Sequence, residues 1–173
     1  GKLKAMCSSV LSEGGYELIG RPFSVGNNVT TVGVTTSEKP LVAIRLKSDY
    51  KRTNVNIVGF NIGTTTNNPP GSIYRLRFYL SPSTDPTTGG TWTSVNDNSY
   101  VEYKIPTSLD TTNSIVVIDD YTSTRNNQSQ YFTAPAKVNL AFDINGDYGD
   151  IAVLTGQALT GSLDVSGHID WTE

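Results

Sequence analysis

Three groups of side chains have types and spacings that suggest reaction chemistry. "DINGDYGD" (143–150) places oxygen donors at alternate positions, Asp143, Asn145 and Asp147, as the first half of a calcium loop does. A calcium hand also needs glycine at the sixth place and an acid at the twelfth, where Tyr148 and Leu154 stand. The better reading is a hairpin turn, because Asn145-Gly146 between apolar runs suits a type I′ turn with positive φ at both central residues. His168, the single histidine, shares the wet face of a strand with Asp170. A general base needs a nucleophile and an orienting partner, and no signature supplies them, so an ordinary exposed histidine is preferred. Asp119-Asp120 with Glu102 are the acids a glycosidase pair would use. Acids scattered over strands are common, and no enzymatic activity is expected.

The candidate contacts for a glycan or partner are Trp92, Tyr100, Arg75, Arg77 and Tyr79. Trp92 in "GGTWTSV", with Tyr100 after it, could stack on a sugar ring; the favoured reading tucks the indole under its loop as a plug. Arg75, Arg77 and Tyr79 form an outward row that could grip an acidic sugar, although a solvated sheet face is the commoner outcome. Cys7, the one cysteine, leaves no internal disulfide or cysteine-rich zinc site and reads as a small buried apolar residue. No cofactor and no metal are expected. The N-x-S/T triplets at Asn28 and Asn127 carry little weight in a chain so rich in Asn, Ser and Thr.

The elements that must position these residues are strands. In "ALTGSLDVSGHIDW", Leu159, Gly161, Leu163, Val165, Gly167, Ile169 and Trp171 alternate with polar residues, the period of a half-buried strand. "LVAIRLK", "IYRLRFYL", "YVEYKI" and "KVNLAFDI" alternate likewise, and shorter β-prone runs lie at 2–10, 29–35, 54–62, 114–121 and 150–155. The 22 threonines favour pleated surface over helix. The pattern predicts an all-β fold, an antiparallel β-sandwich of jelly-roll type with roughly ten strands. Long polar connections at 63–72, 81–99 and 122–130 are expected to be functional or mobile.

Residues 1–15 read as a strand arriving from an upstream region and a Gly14-Gly15 joint, and 16–173 as a single sandwich domain. Pro22 fixes the backbone where the next extended piece starts. A ligand loop with Glu13 and Arg21 as its jaws is the lesser reading. The start at Gly1 suggests a piece of a longer protein.

A net charge of −3 argues against nucleic acid as a partner, and no apolar run approaches the roughly 20 residues that span a bilayer. Charge is uneven: residues 39–77 hold seven bases and one acid, residues 97–173 eleven acids and three bases. Separate sheets for these halves would give attracting faces. Greek-key wiring that interleaves them, slightly preferred, would cancel the dipole.

The order of "SEGGYELIGRPFS", "KPLVAIRLKSDYKRTNVNI", "YRLRFYLSPS" and "GTWTSVNDNSYVEYKI" resembles β-rich modules near the carboxyl ends of long virion structural proteins. These are fibre- and baseplate-type chains of tailed bacteriophages and other large viruses, and the likeness spans about residues 10–105. The resemblance implies a virion location and a symmetric homo-oligomer, a trimer being favoured, with other virion subunits as partners. It implies assembly or host-surface attachment as the role, with cell-surface glycan as a further partner. The rival expectation is a carbohydrate-binding module of a larger secreted enzyme.

Overall fold

A computed structural model describes residues 20–27, 32–64, 68–123 and 130–173, the stretch 130–137 by its backbone. The strand expected at 2–10, Cys7, the Gly14-Gly15 joint and the triplets at Asn28 and Asn127 lie outside the described residues.

Among the described residues thirteen strands form two facing antiparallel sheets and a small ribbon. Sheet I holds β1 (Pro22–Gly26), β2 (Val32–Val34), β4 (Val55–Thr64), β11 (Gln130–Leu140) and β13 (Leu163–Thr172). Sheet II holds β3 (Lys39–Leu46), β5 (Ile73–Ser81), β7 (Thr93–Ser94), β8 (Val101–Lys104), β10 (Ile115–Ser123) and β12 (Ile151–Ala158). β6 (Thr87–Thr88) and β9 (Ser108–Leu109) pair as the ribbon. The one helical element among the described residues is a 3₁₀ turn, Ser48–Tyr50.

The wiring is that of a jelly roll. Sheet I runs in the order β1-β13-β4-β11, with β2 continuing the line of β1 along β13, and sheet II runs β10-β5-β12-β3-β8-β7. Taking β1 and β2 as one strand, the first and last main strands pair (β1 with β13), then the second and seventh (β3 with β12). The third and sixth (β4 with β11) and the fourth and fifth (β5 with β10) complete the nested set. That nesting is a chain folded double and rolled, two Greek keys in two sheets.

β13 realises the predicted alternation. Leu163, Val165, Gly167, Ile169 and Trp171 are buried, while Asp164, Ser166, His168, Asp170 and Thr172 are half-buried on the outer face. Phe60 of β4 stacks on Phe78 of β5 across the sandwich at 5.4 Å, and Trp171 stacks on its cross-strand neighbour Phe23 at 5.9 Å. Gly167 faces side chains of sheet II at close range: a Cβ there would lie 2.9 Å from Leu154 Cδ2 and 3.1 Å from Leu41 Cδ1. The alternation therefore uses glycine inward where no side chain fits.

Several expectations are corrected. The strand begins at Leu163 rather than Leu159, since the residues after Ala158 form a turn with Gly161 at φ 69°. Continuous pairing of "KVNLAFDI" stops at Leu140, and Phe142 meets Gly149 in an isolated bridge. The strand count exceeds ten chiefly because the excursion from 82 to 114 contains the short strands β6, β7 and β9. The apolar runs of β3 and β12 are buried on both faces, since this excursion covers sheet II from outside. Sheet II also resolves the charge question: β5 and β3, from the basic half, lie beside β10 and β8, from the acidic half.

Candidate functional site

The polar chemistry of the described residues gathers on the outer face of sheet II, in two zones on either side of β12. The first is a ladder on β10 and β5. The register sets Asp119 opposite Arg77 and Tyr121 opposite Arg75. Arg75 grips Asp119 with two hydrogen bonds, one from Nε at 2.6 Å, and Arg77 Nε adds a third at 3.2 Å. Arg77 Nη1 also donates to Glu38 Oε2 and to the Tyr79 hydroxyl, both at 2.9 Å, and that hydroxyl donates to Glu38 at 3.1 Å. Arg75 lies 5.5 Å from the centre of the Tyr121 ring. The bond from Arg75 holds the Asp119 carboxyl below its ordinary pKa. Burial pushes the Tyr79 phenol up.

The second zone surrounds Trp92, which packs with Leu109 against a small outer cluster of Ala43, Tyr79, Ile151 and Val153. The Arg45 guanidinium lies 4.2 Å from the indole centroid and Lys104 Nζ 4.7 Å from it. Arg45 Nε donates to Glu102 Oε1 at 2.7 Å, a pair aligned by the register between β3 and β8. Lys104 is buried and donates to Asp85 Oδ2 at 2.6 Å and to the Thr87 carbonyl at 3.1 Å. Burial raises the Asp85 pKa, but Lys104 and the Thr87 hydroxyl and N–H outweigh it and leave the value below normal. Beside this zone opens a cleft of about 250 Å³ whose lining includes Arg45, Ser48, Thr84, Glu102, Asp147 and Tyr148.

The far wall of that cleft is the 142–149 hairpin. Gly146 N–H donates to the Asp143 carbonyl at 2.9 Å, so Ile144 and Asn145 are the central residues of the turn and Gly146 follows them at φ 72°. The two-residue turn centred on Asn145-Gly146 is thus replaced by a wider loop. The cause is the Asp143 carboxylate, which accepts N–H bonds from Asp147 at 2.7 Å and Tyr148 at 3.1 Å. Those backbone bonds, Tyr148 foremost, keep the Asp143 pKa low and occupy the oxygen that the calcium reading needed. Among the described residues no group of three or more His, Cys, Asp or Glu is placed to hold a metal ion.

The five expected contact residues are not brought together. Arg75, Arg77 and Tyr79 share the ladder, Trp92 reaches only the Tyr79 end of it through the small outer cluster, and Tyr100 lies against Tyr50 with centroids 4.7 Å apart and planes tilted by 37°. The acids proposed as a glycosidase pair are also apart. β10 and β8 are separated by four inter-strand spacings, roughly 19 Å, against about 5–9.5 Å for a pair serving one bond. His168 Nε2 lies 3.6 Å from Asp170 Oδ2 on the outer face of sheet I, as its position on the strand predicts. Sequence reasoning missed Arg45, Asp147 and Tyr148 as neighbours of one cleft. The available signal was a tyrosine in a turn where packing does not require one.

No protein-family model matches this chain, and no curated protein matches it. Among solved structures, it is similar at 14% identity and TM-score 0.16 to a chain in the structure of infectious bursal disease virus Gt strain, covering 88% of this chain and 39% of that one. The Gx strain structure gives 14% identity and TM-score 0.16 over 96% of this chain and 45% of that one. The chain thus spans less than half of either viral chain, and at that TM-score the likeness carries no argument.

Proposed function

We propose that this chain is a non-enzymatic structural domain of a virion, serving particle assembly or attachment to a host surface. One observation carries the reading: the edge of sheet II that no strand among the described residues pairs with. β10 runs nine residues along that edge, with Ile115, Val116 and Tyr121 exposed. An edge strand with exposed apolar side chains is a template for a further strand, and only the second half of β10, with Asp119 and Asp120, carries the charge that blunts such an edge. In a symmetric assembly a neighbouring subunit covers it, and the sequence resemblance favours a closed trimer. Jelly-roll wiring, which viral capsid and lectin domains share, supports the reading by analogy of fold alone. The bacteriophage fibre or baseplate setting rests on the sequence resemblance of residues 10–105.

A carbohydrate-binding module of a secreted enzyme with Trp92 as its platform is the weaker reading, because Arg45 and Lys104 already lie against that ring. Light scattering over a concentration series tests the assembly half. The chain is expected to self-associate, and Val116→Lys is expected to shift it toward monomer. A parent chain that stays monomeric at high concentration overturns assembly through this edge.

A further inference from the structure

The cleft between Arg45 and Tyr148 presents polar groups that the fold leaves partly unused. Arg45 is held by Glu102 on one side and the Trp92 ring on another, yet its terminal amino groups make no hydrogen bond among the described residues. The second oxygen of Glu102 and the carboxylate of Asp147 are likewise without a hydrogen bond among those residues. Tyr148 is 56% exposed although its backbone is pinned, its N–H to the Asp143 carboxylate and its carbonyl by the Asp143 N–H at 2.8 Å.

We infer that this cleft binds a single neutral hexose residue of a cell-surface glycan. The inference rests on the attachment half of the function proposed above and on none of its assembly half. A pyranose has an apolar C–H face that stacks on an aromatic ring, and its hydroxyls each donate and accept. Adjacent hydroxyls match a guanidinium fork beside a carboxylate, donors next to acceptors. Arg45 is already immobilised, so little side-chain freedom is lost when a ligand arrives. At about 250 Å³ the cleft is smaller than the roughly 300 Å³ where drug-sized sites begin, which fits one ring.

Charge selects against acidic sugars. Asp85, Glu102 and Asp147 line the cleft against Arg45, and Lys104 offsets only Asp85. The remaining negative excess repels a sialic acid carboxylate or a sulfate. The acidic-sugar reading of Arg75 and Arg77 concerns the other zone, where their charges are met by Asp119 and Glu38.

Amide NMR titration of the 173-residue chain with glucose, galactose and mannose, beside sialyllactose, tests the site. At least one neutral hexose is expected to give saturable shifts at Arg45, Thr84, Glu102 and Tyr148, with a Kd on the order of 1 mM. Tyr148→Ala is expected to weaken binding about tenfold, with the dispersed spectrum retained because the side chain is exposed. Val58→Ala, on the outer face of sheet I, is expected to leave it unchanged. The site is overturned if no neutral hexose shifts these residues, if Tyr148→Ala binds like the parent, or if sialyllactose binds more tightly. Self-association measured by light scattering is unaffected by any of these results, so the two halves of the function fail separately.

Discussion

The two tryptophans of this chain sit in two different cores. Trp171 is buried between the sheets, 1% exposed, stacked on Phe23 and with its indole N–H donated to Glu173 at 2.9 Å. Trp92 is half-buried on the outside of sheet II, held by Leu109, Arg45 and Lys104 over Ala43, Ile151, Val153 and Tyr79. The first core is closed by strands whose partners are fixed on both sides. The second is closed by the excursion between β5 and β10, anchored through the two-residue pairings of β6 with β9 and β7 with β8. Burial of an indole thus means something different in each place: in one it joins the sheets, in the other it fastens a cover.

The sharpest test of that contrast is truncation of each ring. Trp171→Ala is expected to cost about 3–5 kcal/mol, because a large ring lost from a closed interior leaves a cavity the two sheets cannot collapse into. Trp92→Ala is expected to cost about 1–2 kcal/mol, since solvent reaches the vacated place and the main core remains intact. Denaturant unfolding measures both. Equal losses would mean that the cover and the sandwich unfold as one unit; a separate early transition for the cover, read from Trp92 fluorescence in a Trp171→Phe background, would confirm that they are distinct.

The same contrast explains what could be read from the residues in order. β13 was legible because one of its faces is dry and the other wet, and that asymmetry is written as a period of two. The runs in β3 and β12 lose the period because the excursion dries their outer face as well, and "LVAI" then looks like any apolar run. A bulge between Leu154 and Thr155, facing the Pro40–Val42 stretch, turns both Leu41 and Val42 toward the main core, which strict alternation forbids. The jelly-roll class followed from strand number and spacing, whereas the nesting of pairs is a property of the whole chain. The cleft was not legible for a similar reason. Arg45, Glu102 and Tyr148 are 103 residues apart at the extremes and meet only through the pairing of β3 with β8 and β12.

The smallest effect concerns the ladder at the edge of sheet II, where charge replaces apolar cover. Asp119 is held below its ordinary pKa by Arg75, so its contribution to stability is present above the unfolded carboxyl value of about 3.9 and is lost as pH falls through the lower folded value. Asp85 behaves alike. Asp150 runs the other way: burial raises its folded pKa, so protonation on acidification favours the folded state through this group. Stability is therefore expected to fall below about pH 4, less steeply in Asp119→Asn, while Asp150→Asn removes a gain on acidification that lies above about pH 4. The ladder is partly solvated, and salt screening limits Asp119→Asn at neutral pH to under about 1 kcal/mol. Thermal melts across the acid range decide it: an unchanged slope in Asp119→Asn would mean that the three-way grip of Arg75 and Arg77 orients β10 without stabilising the fold, and that this edge depends on a neighbouring strand for its cover.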